Sequence, residues 1–87
     1  MFKKRRGIHC PYNKQGLIYF TGMNFDDMPE HIQEKIERLC DDVGKEHSEV
    51  LFQVVTNSNE TIRSLAMKYH ISETQLYHYR KKFYESW

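Results

Sequence analysis

No stretch of the 87-residue chain approaches the roughly 18 to 20 apolar residues that a bilayer-spanning helix needs. The basic start is followed by no apolar segment, so a secretory leader is not expected either. Cysteine is scarce: Cys10 and Cys40 lie far apart and do not form the dense framework of a small secreted protein, which points to two free thiols in a reducing, cytoplasmic setting. There is no Cys-x-x-Cys, and His9 and Cys10 are adjacent, so convergence of His9, Cys10, His31, Cys40 and His47 on zinc fits no common ligand spacing. A phosphate-gripping glycine loop, a nucleophile elbow and a His-Glu-x-x-His helix are all missing. Neither catalysis nor a metal or cofactor is expected of this chain.

Net charge is also nearly absent, at +1, but the charges are strongly segregated. Lys3, Lys4, Arg5 and Arg6 form a basic arm, and Arg80, Lys81 and Lys82 a basic end. Between them stand Asp26, Asp27, Glu30, Glu34, Glu37, Asp41, Asp42, Glu46 and Glu49, against Lys35, Arg38 and Lys45. A polyanion would meet the ends, while the acidic middle would face solvent or another protein.

One domain is expected over 8–87, preceded by a flexible arm at 1–7, in a chain long enough to fold alone around a modest core. Its class is mainly α: a four-helix domain with a C-terminal trihelical unit and a small N-terminal β-hairpin. The hairpin would occupy 8–24, pairing 8–10 with 17–21 around Pro11, Asn13 and Gly16. An acidic helix follows over 27–43, with Asp27-Met28-Pro29-Glu30 written like a capping box, Ile32, Ile36, Leu39, Cys40 and Val43 on one face, and Gly44 as a left-handed stop. The unit over 46–87 begins with a helix at 46–56 carrying Val50, Leu51, Val54 and Val55. The run Asn57-Ser58-Asn59 then offers an N-cap to the next helix.

The segment 61–83 is the most informative. Ile62, Leu65, Ala66 and Tyr69 make one apolar stripe and Leu76, Tyr79 and Phe83 another, with Ile71 at the corner between them. Ser72-Glu73-Thr74-Gln75 reads as a capping box, so the last helix starts near Glu73; the Gln75 side chain could be consumed by that box. Helix, three-residue turn and capped helix form a helix-turn-helix outline. Tyr69, Tyr79 and Phe83 are counted as core; Tyr77 and Tyr84 are harder to assign, and Trp87 is expected either to fold back or to meet a partner.

With those residues in view, the chain over 48–85 resembles the trihelical, homeodomain-like helix-turn-helix of transposase DNA-binding subunits, site-specific recombinases and many bacterial and phage regulators. LAMKYHISETQLYHYRKKF is especially similar to the transposase version, in which a Tyr-Gly-Ile-Ser turn precedes a helix ending in aromatic and basic residues. His70 stands where that family usually has glycine in the left-handed region, a substitution histidine tolerates at about 1 kcal/mol.

The resemblance implies a last helix lying in the major groove of double-stranded DNA. Thr74, Tyr77 and His78 would then meet base edges, while Ser72, Arg63, Lys68, Arg80, Lys81 and Lys82 meet phosphate. By analogy with homeodomain arms, Lys3, Lys4, Arg5 and Arg6 would enter a minor groove. Transposase chemistry would need a further domain. The expected function is sequence-specific DNA binding by a small transcriptional regulator, or by the recognition component of a prokaryotic phage or mobile element, possible as a homodimer. The competing expectation is a protein-interaction module, with the helix-turn-helix as scaffold and the acidic helix and N-terminal segment bound to a protein partner.

Overall fold

Apolar residues recur at three- and four-residue spacing through most of the chain, and the computed structural model, which describes residues 12–57 and 59–87, is correspondingly mainly helical. Its helices are α1 (Tyr12–Met23), α2 (Glu30–Gly44), α3 (Ser48–Thr56), α4 (Ile62–Tyr69) and α5 (Glu73–Ser86). Short 3₁₀ turns at Phe25–Asp27 and Lys45–His47 lead into α2 and α3. The four helices expected from the acidic segment onward are all there, and no described residue is in a strand.

The second arm of the expected hairpin, 17–21, is instead part of α1; the first, 8–10, lies outside the described residues, as does the basic arm. Gln15, Ile18, Thr21 and Gly22 are all buried, a helical spacing that strand alternation would have split between two faces. The Thr21 hydroxyl donates to the Leu17 carbonyl at 2.7 Å, one turn back. Residues 18–21 are β-leaning in composition, but that preference measures fit to a pleated surface, and here the available partner is the helix α3.

Several boundaries also differ from expectation. Asp27 does not cap α2; it ends a 3₁₀ turn, and Pro29 stands at the N-cap without a side-chain bond. The turn is dictated by Phe25, whose ring packs edge-on against Phe52 at 5.0 Å and whose carbonyl accepts from Gln33 Nε2 at 2.8 Å. The left-handed residue after α2 is Lys45, at φ 51, not Gly44, at φ −83. Gly44 itself is helical and buried, and a Cβ there would stand in ordinary contact, 3.4 Å from the Leu51 side chain. Thr61, not the Asn57-Ser58-Asn59 run, caps α4, accepting from the Ser64 N–H at 3.0 Å. The Asn57 carboxamide oxygen is engaged in its own turn, accepting from the Asn59 N–H at 2.8 Å.

Two apolar clusters meet on α3. Ile18, Ile36, Cys40, Leu51, Val55, Phe83 and Tyr84 join α1, α2 and the end of α5. Val50, Leu65, Ala66 and Leu76 join α4 to the start of α5, with Tyr69, Ile71 and Tyr79 at the edge. Full burial of a leucine such as Leu51 or Leu76 stabilises by about 1.5–3 kcal/mol. Tyr84 belongs to the core at 3 % exposure, and Trp87 folds back, its ring 6.0 Å from Phe83 and 4.2 Å from the Lys35 ammonium.

Gly22 sits where α1 crosses α3 so closely that a Cβ would collide with the Val55 carbonyl oxygen. Gly22→Ala should therefore cost about 1–3 kcal/mol, whereas Gly44→Ala, at a helical φ with ordinary contact distances, should stay within about 1 kcal/mol of the parent; urea denaturation of both compares them.

Burial raises the Cys40 thiol from 9.0 to about 12, and the neighbouring Asp41 and Glu37 carboxylates push it the same way. Because the folded value lies above the unfolded one, the stability this thiol contributes is present below about pH 9 and is lost as pH rises toward about 12. The stability difference between the parent and Cys40→Ala should thus shrink between about pH 8 and about pH 10.5; a constant difference would contradict this.

Candidate nucleic-acid interface

α4 and α5 are joined by three residues, His70, Ile71 and Ser72, and each has a distinct task. His70 takes φ 55, ψ 45, the left-handed conformation that ends α4, at the position where the resembled turn carries glycine. The Ile71 N–H then donates to the Ala66 carbonyl at 3.0 Å, and the Ile71 side chain packs against the Val50, Leu65 and Leu76 cluster, plugging the corner. Ser72 is the N-cap of α5, its hydroxyl accepting from the Gln75 N–H at 3.0 Å.

The capping box does not close in the reciprocal direction. Gln75 Nε2 donates to the Tyr79 hydroxyl at 2.9 Å, one turn ahead, instead of reaching back to Ser72. That bond is available because Tyr79 is half-buried with its hydroxyl near the surface, and i, i+4 pairs on a helix face each other.

Leu76 and Phe83, seven residues apart, hold one side of α5 against the core. Thr74, Tyr77, His78 and Lys81 fall at i, i+3, i+4 and i+7, so they share the face turned away from it. Thr74 and His78 are exposed, Tyr77 is 49 % exposed, and Lys81 is half-buried. Lys82, four residues beyond His78, is exposed. Arg80 is half-buried, with its guanidinium 5.0 Å from the centre of the Tyr77 ring, which holds both side chains on one flank of the helix.

Arg63 and Ser72 come together across the turn. With Ala66, Met67, His70, Ile71 and Glu73 they line an open groove of about 480 Å³ between the outer face of α4 and the start of α5. Lys68 is not among the lining residues and lies 3.8 Å from Glu60, pairing an exposed ammonium with a half-buried carboxylate for about 1 kcal/mol. Met67, His70 and Glu73 were not among the expected contacts, yet all border the groove. Met67 lies four residues after Arg63 on the outer stripe of α4 and is 72 % exposed, a position the helical spacing made readable.

The acidic helix lies elsewhere. α2 meets α5 in the cluster that joins Ile36 and Cys40 to Phe83 and Tyr84, the side opposite Thr74 and His78. Among the described residues no group of three His, Cys, Asp or Glu side chains is arranged to hold a metal ion, and no helix is long and apolar enough to cross a membrane. No family model, curated protein or solved structure matches this chain.

The start of α5 provides a direct check on this geometry. Ser72→Ala should cost about 1 kcal/mol, because a backbone N–H loses its acceptor. Gln75→Ala should cost about 0.3 kcal/mol or less, since its side chain contributes only an exposed pair with Tyr79. Equal costs in urea denaturation would mean that the box is closed after all.

Proposed function

We propose that this chain is a sequence-specific DNA-binding protein of helix-turn-helix type, a small transcriptional regulator or the recognition component of a phage or mobile element. One observation carries the reading: a helix capped at Ser72, set by a three-residue turn that opens on the left-handed His70, turns Thr74, Tyr77, His78, Lys81 and Lys82 outward with no acidic helix over them. A helix so presented can enter the major groove with its N-terminal half toward base edges. Thr74 and His78 offer hydrogen-bonding groups and Tyr77 a ring edge and hydroxyl, suited to base donors, acceptors and the thymine methyl. Since Gln75 is free of the reciprocal cap, its amide is also within the reading set, exposed at the first turn of α5.

Lys81 and Lys82, with Arg63 across the groove, supply charge for phosphate; Lys68 contributes less while it pairs with Glu60. Arg80 acts through Tyr77, holding that ring in place, with its own charge added to the local field. The arm Lys3, Lys4, Arg5 and Arg6 would add non-specific attraction. Nearly neutral overall, the chain would rely on this local arrangement of charge and not on its sum. A single recognition helix buries little surface, so a homodimer on a palindromic site is the expected working form.

Fluorescence anisotropy on a mixed-sequence duplex tests the proposal: binding at low salt that weakens steeply as salt rises supports it, and no binding at low salt overturns it. Lys81→Ala should weaken binding to every sequence and reduce the salt slope by about 1, whereas His78→Ala should alter which sequences are preferred. Equal losses on all sequences for both variants would refute the assigned roles.

The protein-interaction reading draws on a separate observation. The outer face of α2 keeps Glu30, Glu34, Glu37, Asp41 and Asp42 exposed, away from the α5 face, and so available to a different partner.

A further inference from the structure

A groove of about 390 Å³ opens between α2 and α3, lined by Phe25, Glu37, Cys40, Asp41, Ser48, Glu49 and Phe52. Two features of it are unusual for an ordinary solvated helix surface. Its aromatic wall is the edge-to-face pair of Phe25 and Phe52, centroids 5.0 Å apart and both rings half-buried, so apolar ring surface faces solvent. Around those rings stand three exposed carboxylates. Glu37 and Asp41 are four residues apart on α2, an arrangement in which like charges repel, and Glu49 joins them from α3. Among the described residues none of the three has an ion-pair partner.

We infer that this groove is a docking site for an arginine-bearing basic segment of a protein partner, with a guanidinium seated on the Phe25 and Phe52 rings between Glu37, Asp41 and Glu49. The match is one of charge and shape together. Guanidinium is planar, weakly hydrated and always charged; it stacks on aromatic rings and donates in a fork to carboxylates, two demands that this groove meets side by side. An ammonium would satisfy the carboxylates but would give up more hydration to lie against the rings. The negative field is felt inside the protein as well, since Asp41 and Glu37 help to raise the neighbouring Cys40 thiol. None of Thr74, Tyr77, His78, Lys81 and Lys82 lines the groove, so the inference goes beyond DNA binding and does not rest on it.

The test is anisotropy of a fluorescein-labelled, C-terminally amidated hexa-arginine peptide titrated with the full chain at low salt. Glu37→Gln/Asp41→Asn/Glu49→Gln should bind it at least about tenfold more weakly than the parent. The control Glu30→Gln/Glu34→Gln/Asp42→Asn makes the same change in net charge outside the groove and should weaken binding by no more than about threefold, the loss of long-range attraction alone. Hexa-lysine should bind more weakly than hexa-arginine, and Phe52→Leu should narrow that gap.

Absence of binding, equal weakening by the two triple variants, or indifference to the choice of arginine or lysine would each overturn the inference. A gain of about tenfold on removing residues 1–7 would assign the groove to the chain's own Lys3, Lys4, Arg5 and Arg6 and would overturn it too. Duplex DNA titrated against the parent and the groove variant separates the two readings: DNA binding should be retained in both, and its absence from both, with the parent still binding the peptide, would remove the DNA reading alone.

Discussion

The nine-residue helix α3 must be apolar in two directions at once, and the remaining helices depend on it. Leu51 and Val55 face α1, α2 and the end of α5, while Val50 faces α4 and the start of α5. A helix this short is marginal by itself in water, so it is held almost entirely by what packs around it. The dependence is mutual: α1 finds its partner at Val55, α2 at Leu51, and α4 and α5 are aligned over Val50. Because α5 touches both clusters, its axis is set at two places along its length, through Leu76 and through Phe83. That is how a modest core can orient a surface helix firmly.

From this constraint the two faces of the molecule follow. Holding Leu76 and Phe83 inward turns Thr74, Tyr77, His78 and Lys81 outward, and the turn at His70, Ile71 and Ser72 decides where that outward face begins. Seating α2 against Phe83 and Tyr84 keeps its carboxylates off the outward face of α5 and gathers Glu37, Asp41 and Glu49 beside Phe25 and Phe52. Charge segregation that is visible along the sequence thus becomes segregation in space, with cationic and anionic surfaces on different helices. A nearly neutral chain can in this way offer each kind of partner a face of the opposite sign.

Where local chemistry decides a feature, the sequence revealed it. The Ser72 cap, the left-handed His70, Ile71 as the corner plug and the apolar stripes of α4 and α5 all depend on residues within one or two turns of each other. Features decided by distant partners were not legible. Residues 17–21 look strand-like until Val55 is known to lie beneath Gly22, and Asp27 looks like a cap until Phe25 is known to seek Phe52. Tyr84 gave no sign of its burial, since only the approach of α2 to the end of α5 covers it. At the candidate interface the exposed residues of α5 could be enumerated from helical spacing, but not the groove that joins Arg63 to Ser72, nor the pairing of Lys68 with Glu60 and of Arg80 with Tyr77. The choice of Gln75 between reaching back and reaching forward was likewise open until Tyr79 was located.

The central claim is the proposal that the outward face of α5, with Arg63 across the turn, meets nucleic acid and that the acidic face of α2 does not. Amide chemical-shift mapping of the isotopically labelled chain, titrated with a mixed-sequence duplex at low salt, addresses it residue by residue. The account predicts shifts concentrated at Ser72, Thr74, Tyr77, His78, Lys81 and Lys82 and at Arg63 across the turn, with Glu37, Asp41 and Glu49 unmoved. Shifts centred on α2, or no shifts at all, would contradict it.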